Sequence, residues 1–132
     1  MRCCSGSCRG ASAVELALVL PLLALLFVFA VDFARLYYYY SIVTNCARNG
    51  ALYLSDPLAP LESPYADCTA AALADAANLN PQPTVTSSLP GSDPVWVTVS
   101  YPFTTLSNYP GLPNPINLTR RVQMRRAPLT PN

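Results

Sequence analysis

The sequence contains no histidine and no lysine, and charged residues make up only 11% of it. Without histidine the chain lacks the commonest general base and the commonest metal ligand, so His-containing catalytic triads and metal sites are excluded. Its five glycines form no phosphate-binding loop, and no cofactor motif or paired carboxylates are evident. The sequence therefore predicts a protein that is not an enzyme and has no cofactor, no metal site and no small-molecule substrate.

Basic charge is also scarce, because eight basic residues against seven acidic ones leave a net charge of +1. Nucleic-acid binding needs a concentrated basic patch, so this balance predicts no nucleic-acid partner. The one basic cluster lies near the C-terminus and consists of Arg120, Arg121, Arg125 and Arg126. Two interpretations of this cluster stay open: a solvated strand and tail, or a binding patch for lipid headgroups or an acidic partner.

A long apolar segment is the main feature that is present. Residues 16–31 are apolar throughout, and extending them back to Ala11 adds only Ser12 and Glu15 as polar residues. The extended segment matches the ~20 residues that span a bilayer as a helix. It is apolar on all sides, and the soluble part of roughly 80 residues is too small to bury it as a core helix. The sequence therefore predicts a single-pass membrane helix.

The charges that flank this segment predict its orientation. Arg2, Arg9 and the terminal amine precede it, whereas Asp32 and Arg35 after it cancel. The positive-inside rule then places the N-terminus in the cytoplasm and the rest of the chain outside. Residues 32–40 contain no small-residue cleavage site, so the segment is not an ordinary signal peptide.

An acidic residue, Glu15, stands five positions after Gly10 at the start of the apolar segment. A charged residue at the centre of a membrane helix costs ~2.5–3.5 kcal/mol, and less toward the ends, and it usually has a partner. If the chain were cut after Gly10, Ala11 would expose an α-amino group that could pair with Glu15 of a neighbouring subunit and set the stagger between helices. Alternatively, Glu15 lies at the headgroup boundary, where the helix dipole favours it. The spacing does not decide between these interpretations.

Several further features occur together with Gly10 and Glu15, and together they cover most of the chain. They are Arg9-Gly10, Glu15, Leu20-Pro21, Asp32, Arg35, the run 45–51, the run 97–103 and Met124-Arg125. In this combination the chain resembles the TadE family of pseudopilin-like proteins of the tight-adherence pilus system. It departs from the family pattern at Cys46, where alanine is usual, and at Leu52, where arginine is usual.

The resemblance implies a function in pilus biogenesis or secretion-machine assembly. Its implied partners are the membrane, other pilin-like subunits, pilus assembly proteins and a prepilin-type peptidase. Gly10 would precede the cut, Ala11 would be the new N-terminus, and Glu15 would be the recognition and assembly carboxylate. The location would be the bacterial inner membrane, with the C-terminal part periplasmic or extracellular. The alternative function is an uncleaved, signal-anchored extracytoplasmic scaffold or binding module.

The predicted fold class is α+β, with a long N-terminal transmembrane helix that extends into a small outer domain containing a second short helix and an antiparallel sheet of about three strands. The predicted parts are a leader at 1–10, a transmembrane and juxtamembrane helix at 11–56, and an extracytoplasmic α+β part at 57–132. Pro21 removes a backbone hydrogen bond, so we expect a helix kink there.

Local patterns refine this fold. Ser63 as N-cap followed by Pro64 predicts the start of the second helix, which would run to Asn78. Strands are expected at 84–88, 95–101 and 116–124, and Arg120 makes the last of these an edge or bulged strand. The face of the long helix predicted to pack on the outer domain comprises Leu36, Tyr40, Val43, Ala47, Ala51 and Leu54.

Five cysteines remain to be assigned. Cys3, Cys4 and Cys8 lie in the leader, which would be cytoplasmic and reducing. Cys46 and Cys68 would both lie outside, where a disulfide between them would persist and tie the outer domain to the anchor. Two separate buried thiols are the alternative. A zinc site is not expected, because two thiolates without histidine leave it half empty.

Overall fold

A computed structural model describes residues 8–107 and 109–128 of the chain. The described elements are helices α1 (Cys8–Ser55), α2 (Ala59–Glu62) and α3 (Cys68–Leu73), a 3-10 turn (Ala74–Ala76), and strands β1 (Thr84–Ser87), β2 (Val95–Phe103) and β3 (Ile116–Met124). A long apolar helix, short helices and a three-stranded antiparallel sheet confirm the predicted α+β class. Residues 1–7 of the predicted leader, including Cys3 and Cys4, lie outside the described residues.

The chain divides into two compact units, one ending at Arg35 and one beginning at Leu36. In the first unit, α1 carries Pro21 in its interior, and residues 10–27 are all exposed. The stretch Gly10–Ser55 contains a window with mean hydropathy 2.7, none of which is buried. By length and composition this helix can cross a membrane, and it suggests a membrane anchor.

The second unit has its core between the second half of α1 and the sheet. Small side chains of α1, among them Ala47 and Ala51, are fully buried and allow close approach to β2. Along β2 every second residue is buried, from Val95 to Phe103, which is the alternation expected of a strand covered on one face. Apolar burial at this interface therefore stabilises the second unit.

The predicted packing face of α1 is correct in part. Val43, Ala47 and Ala51 are buried, and Leu36 and Leu54 pack against the core. Tyr40, however, is 37% exposed, and Tyr39 takes its place, with its ring 5.3 Å from that of Tyr101. Adjacent residues are 100° apart around a helix, so the buried stripe is centred slightly differently from the predicted one.

The sheet has the order β1-β2-β3, with both pairings antiparallel. All three predicted strands are present, and the register between β2 and β3 runs without a break from Val95–Met124 to Phe103–Ile116. Arg120 thus marks an edge strand, as expected, and the register shows no bulge. After β3, the backbone N–H of Ala127 donates to the carbonyl of Ser55 at 2.8 Å and joins the chain to the end of α1.

The helix predicted to start at Ser63 begins later, as α3, and the short helix α2 (Ala59–Glu62) before it was not predicted. Ser63 does not cap it, because its hydroxyl accepts a hydrogen bond from the backbone of Tyr65 in a local turn. The cap is Asp67, whose carboxylate accepts from the N–H of Ala70 at 2.6 Å. Helix α3 ends at Leu73 and continues only as the 3-10 turn, so the predicted end at Asn78 was also wrong.

Candidate functional site

The predicted processing residues lie at the beginning of α1. Gly10 and Ala11 are helical and exposed, and a Cβ atom built on Gly10 would have nothing within 4 Å. The described residues therefore do not bury the peptide bond between Gly10 and Ala11, and it is accessible to a peptidase. Whether it is cut stays a prediction.

Glu15 lies one helical turn after Ala11 and therefore on the same face of α1. Its neighbours in the chain, Val14 and Leu16, are 62% and 61% exposed. Among the described side chains, no cation lies within ion-pair distance of the Glu15 carboxylate. The chain thus presents a single carboxylate on an uncovered apolar helix surface.

The far end of the apolar segment has charges of a different kind. Asp32 is only 5% exposed, and its carboxylate accepts a hydrogen bond from the guanidinium of Arg35 at 3.2 Å, one turn away. This i,i+3 pair is neutralised within the helix. Glu15 and Asp32 therefore differ chemically, because the partner of Asp32 is supplied by the same helix, whereas none is described for Glu15.

Cys46 and Cys68 are both buried, free thiols in the core of the second unit. The Cys68 thiol donates to the carbonyl of Gly50 at 3.5 Å. Burial, reinforced by the negative charge of Asp75, raises the pKa of the Cys46 thiol to about 11. Burial is also the main cause that raises the pKa of Cys68. Neutral thiols in apolar surroundings are poor nucleophiles, so neither is placed for catalysis.

The predicted disulfide between these cysteines is not formed in the structure, and it stays a prediction for the oxidised protein. Within residues 8–107 and 109–128, no group of three or more cysteine, aspartate and glutamate residues is placed to hold a metal ion. The two small residues Cys46 and Gly50 of α1 instead serve packing, because they allow α3 and β2 to lie close to the helix.

Two arginine contacts and one pocket were not anticipated from the sequence. Arg120 stacks 5.5 Å from the ring of Tyr40, and Arg121 stacks 4.4 Å from the ring of Trp96. An open pocket of about 440 Å³ lies against the end of α1 and is lined by residues including Leu52, Asp56, Glu62 and Tyr65. The basic cluster was visible in the sequence, but its aromatic neighbours depend on strand register and helix rotation.

The family model described as TadE-like protein matches residues 10–52. This match confirms the resemblance read from the motifs, for a segment that contains Gly10, Ala11, Glu15 and the Asp32–Arg35 pair. It supports a protein associated with the Tad pilus system. No curated protein and no solved structure matches the chain.

Proposed function

We propose, on the basis of the TadE-like segment at residues 10–52, that this chain is a pilin-like membrane protein of pilus biogenesis or secretion-machine assembly. It packs against other subunits through its N-terminal helix. The observation that carries this proposal is the Glu15 carboxylate on an apolar helix surface that no described part of the chain covers. A charge in that setting favours association with a partner that brings a cation.

The partner cation would be the α-amino group created at Ala11 when a prepilin-type peptidase cuts after Gly10. A helix rises 1.5 Å per residue, so Glu15 lies about 6 Å further along the axis than the amine of Ala11. Pairing the carboxylate of one subunit with the amine of the next therefore sets a stagger of about 6 Å between neighbouring helices. The pair neutralises two charges that hydrocarbon disfavours, and it fixes the register of packing.

The proposed location follows from the flanking charges and the family match. The helix anchors the chain in the bacterial inner membrane, with residues 1–10 as a cytoplasmic leader and residues 57–132 in the periplasm or outside the cell. The transmembrane and juxtamembrane helix would occupy residues 11–56. Partners would be pilin-like subunits and pilus assembly proteins.

Intact mass and N-terminal sequencing of the membrane-extracted protein test the processing step. Processed protein begins at Ala11. A full-length product would mean that Ala11 has no free α-amino group to pair with Glu15.

A second experiment tests the carboxylate. Glu15→Ala should insert normally but lose co-purification with partner subunits, because the helix no longer offers an acid to the neighbouring amine. Glu15→Asp keeps the charge and serves as the matched control, with assembly largely retained. Normal assembly of Glu15→Ala would contradict the pairing role.

The second candidate function is an uncleaved, signal-anchored extracytoplasmic scaffold or binding module. The observation that favours it is the second unit, which has its own core and an open pocket of about 440 Å³. If the intact mass is that of the uncleaved chain and Glu15→Ala assembles normally, this function is favoured over the first.

A further inference from the structure

The outer edge of β3 is open in the part of the chain that the structure describes. β3 is nine residues long and pairs with β2 alone, since the sheet ends there in the order β1-β2-β3. An edge of this length leaves backbone N–H and C=O groups available to another chain. Such an edge is a docking surface unless its side chains prevent pairing.

The side chains of this edge are basic. Arg120 is opposite Val99, on the face of the sheet that contacts α1, and Arg121 is opposite Thr98, on the other face. Both are exposed, and their stacking on Tyr40 and Trp96 holds the two guanidinium groups in place. A stacked guanidinium keeps its N–H donors free for a carboxylate.

Arg125 and Arg126 follow directly after the strand and are also exposed. We call the four residues Arg120, Arg121, Arg125 and Arg126 the basic edge. Within residues 8–107 and 109–128, none of them forms an ion pair. Arg126 lines a cleft together with Asp56 and Asp67 of the same copy, whereas Arg125 lines a separate pocket with Asp93. Arg125 is therefore the one of the two that does not border Asp56 and Asp67.

Four of the five acidic residues of the second unit belong to a different segment of the chain, part of which borders Arg126. Asp56, Glu62, Asp67 and Asp75, which we call the acidic segment, lie between the end of α1 and the 3-10 turn and are all exposed. Leu61 and Tyr65 beside them are 84% and 41% exposed. The segment therefore combines negative charge with apolar surface, and Glu62 borders the open pocket.

We infer that the basic edge of one copy docks onto the acidic segment of a second copy of this chain. Charge complementarity selects this occupant, because the two surfaces carry four arginines and four carboxylates that the described structure does not join in ion pairs. The surfaces differ, so the contact is head-to-tail and can repeat from copy to copy. This contact lies outside the apolar helix and goes beyond the helix pairing proposed above.

Two charge reversals test the contact in the full chain in dodecyl maltoside micelles. Arg125→Glu makes the edge more acidic, and Glu62→Arg makes the acidic segment more basic; neither side chain has a described hydrogen bond or ion pair to lose. Sedimentation velocity should show self-association weakened about tenfold for each variant, in line with the large effects of close charge pairs at interfaces. Mixing the two variants should restore association, because the unaltered basic edge of Glu62→Arg meets the unaltered acidic segment of Arg125→Glu, and the two reversed surfaces complement each other.

The matched controls carry the same changes of charge on the opposite edge of the sheet. Thr84→Glu with Thr86→Glu, or Thr84→Arg with Thr86→Arg, shifts the net charge by two units on exposed positions of β1. These variants should associate like the unchanged chain. Association of the unchanged chain should also fall as salt rises.

Three results would overturn the inference. Unaltered association in both reversed variants would mean that the contact is absent. Stronger association of Arg125→Glu would mean that the arginines only protect an exposed edge from pairing. A mixture without recovery would leave lipid headgroups or another acidic protein as the ligand of the basic edge. Glu15→Ala, measured in parallel, reports on the helix contact alone, so failure of one contact is distinguishable from failure of the other.

Discussion

Substitution of Gly50 should reveal how closely α1, α3 and β2 are packed. A Cβ atom at this position would lie 3.1 Å from the Cβ of Ala72 and 3.1 Å from the Cγ1 of Val97. Favourable carbon contacts need ~3.5–4.0 Å. Both neighbours are buried and short, so space can be made only by moving α3 or the central strand.

Two opposing terms set the magnitude for Gly50→Ala. Alanine stabilises a helix interior by ~1 kcal/mol relative to glycine, whereas overpacking a core costs ~1–3 kcal/mol. The expected sum is a loss of about 1 kcal/mol in the free energy of unfolding. Gly50→Val adds two further methyl groups and should cost more than ~3 kcal/mol, because no displacement of a few tenths of an ångström accommodates them.

The assay is denaturant unfolding of the full chain in micelles, followed by the fluorescence of the single tryptophan. Asn45 is an exposed position of the same helix, so the difference between Asn45→Ala and Asn45→Gly measures helix propensity without packing. Subtracting this difference from the effect of Gly50→Ala isolates the steric cost. The double variant Gly50→Ala, Val97→Ala should be less destabilised than the sum of its single variants.

The reasoning would be refuted if Gly50→Ala stabilised the chain by the full amount that alanine gains over glycine at position 45. It would also be refuted if the effects at positions 50 and 97 were additive. Either result would mean that the approach of α1 to β2 is looser than the distances indicate.

Three further predictions concern the second unit, each measured by the same unfolding assay. Asp67→Ala should cost ~1 kcal/mol, because the N–H of Ala70 loses its cap; Asp67→Asn should retain most of the stability, and an unchanged midpoint for Asp67→Ala would contradict the cap. Tyr39→Ala should cost ~2–3 kcal/mol, less than the ~3–5 kcal/mol of a fully buried aromatic residue, since its partly buried ring packs on Tyr101 and Phe103; a loss below about 1 kcal/mol would contradict this packing. The raised pKa of Cys46, from 9.0 to about 11, means that the folded state keeps a proton which the unfolded state loses, so stability should fall by up to ~2 kcal/mol as pH rises from 9 to 11. Cys46→Ala should have a flatter pH dependence, and equal slopes would contradict this origin.

The sheet shows how far local pattern determines structure. Val95, Val97 and Val99 alternate with polar or half-buried residues, and this period of two can bury one face only as a strand. The strand at 95–101 was therefore predicted almost to its observed bounds, Val95–Phe103. The interruption of apolar parity at Arg120 likewise predicts an edge or a bulge in β3; the strand order shows the edge, and the register shows no bulge.

The second helix shows where local pattern fails. Ser63-Pro64 and Asp67 are both acceptable helix starts by composition, and Ser63 was the one predicted. The structure selects Asp67, because the helix that begins there buries Cys68, Ala71 and Ala72. Burial depends on what lies opposite the helix, and no local window of sequence contains that information.

The candidate site, too, could be predicted from the sequence only in part. Gly10, Glu15 and the apolar residues after them were recognisable because spacing and hydropathy are properties of a short stretch of chain, and the family match covers the same stretch. For Cys46 and Cys68 the sequence predicts a disulfide, with two separate buried thiols as the alternative, and which of these forms depends on the distance between two elements. Sequence alone left that alternative open.

The sequence by itself determined the apolar helix, its lone acidic residue and the three strands, because each arises from hydropathy or backbone preference within a few residues. Only the tertiary structure decided that Tyr39 rather than Tyr40 faces the core, that Gly50 packs closely against α3 and β2, and that Arg120 and Arg121 stack on Tyr40 and Trp96. These choices depend on helix rotation and strand register, which are settled when residues far apart in the chain compete for the same buried space.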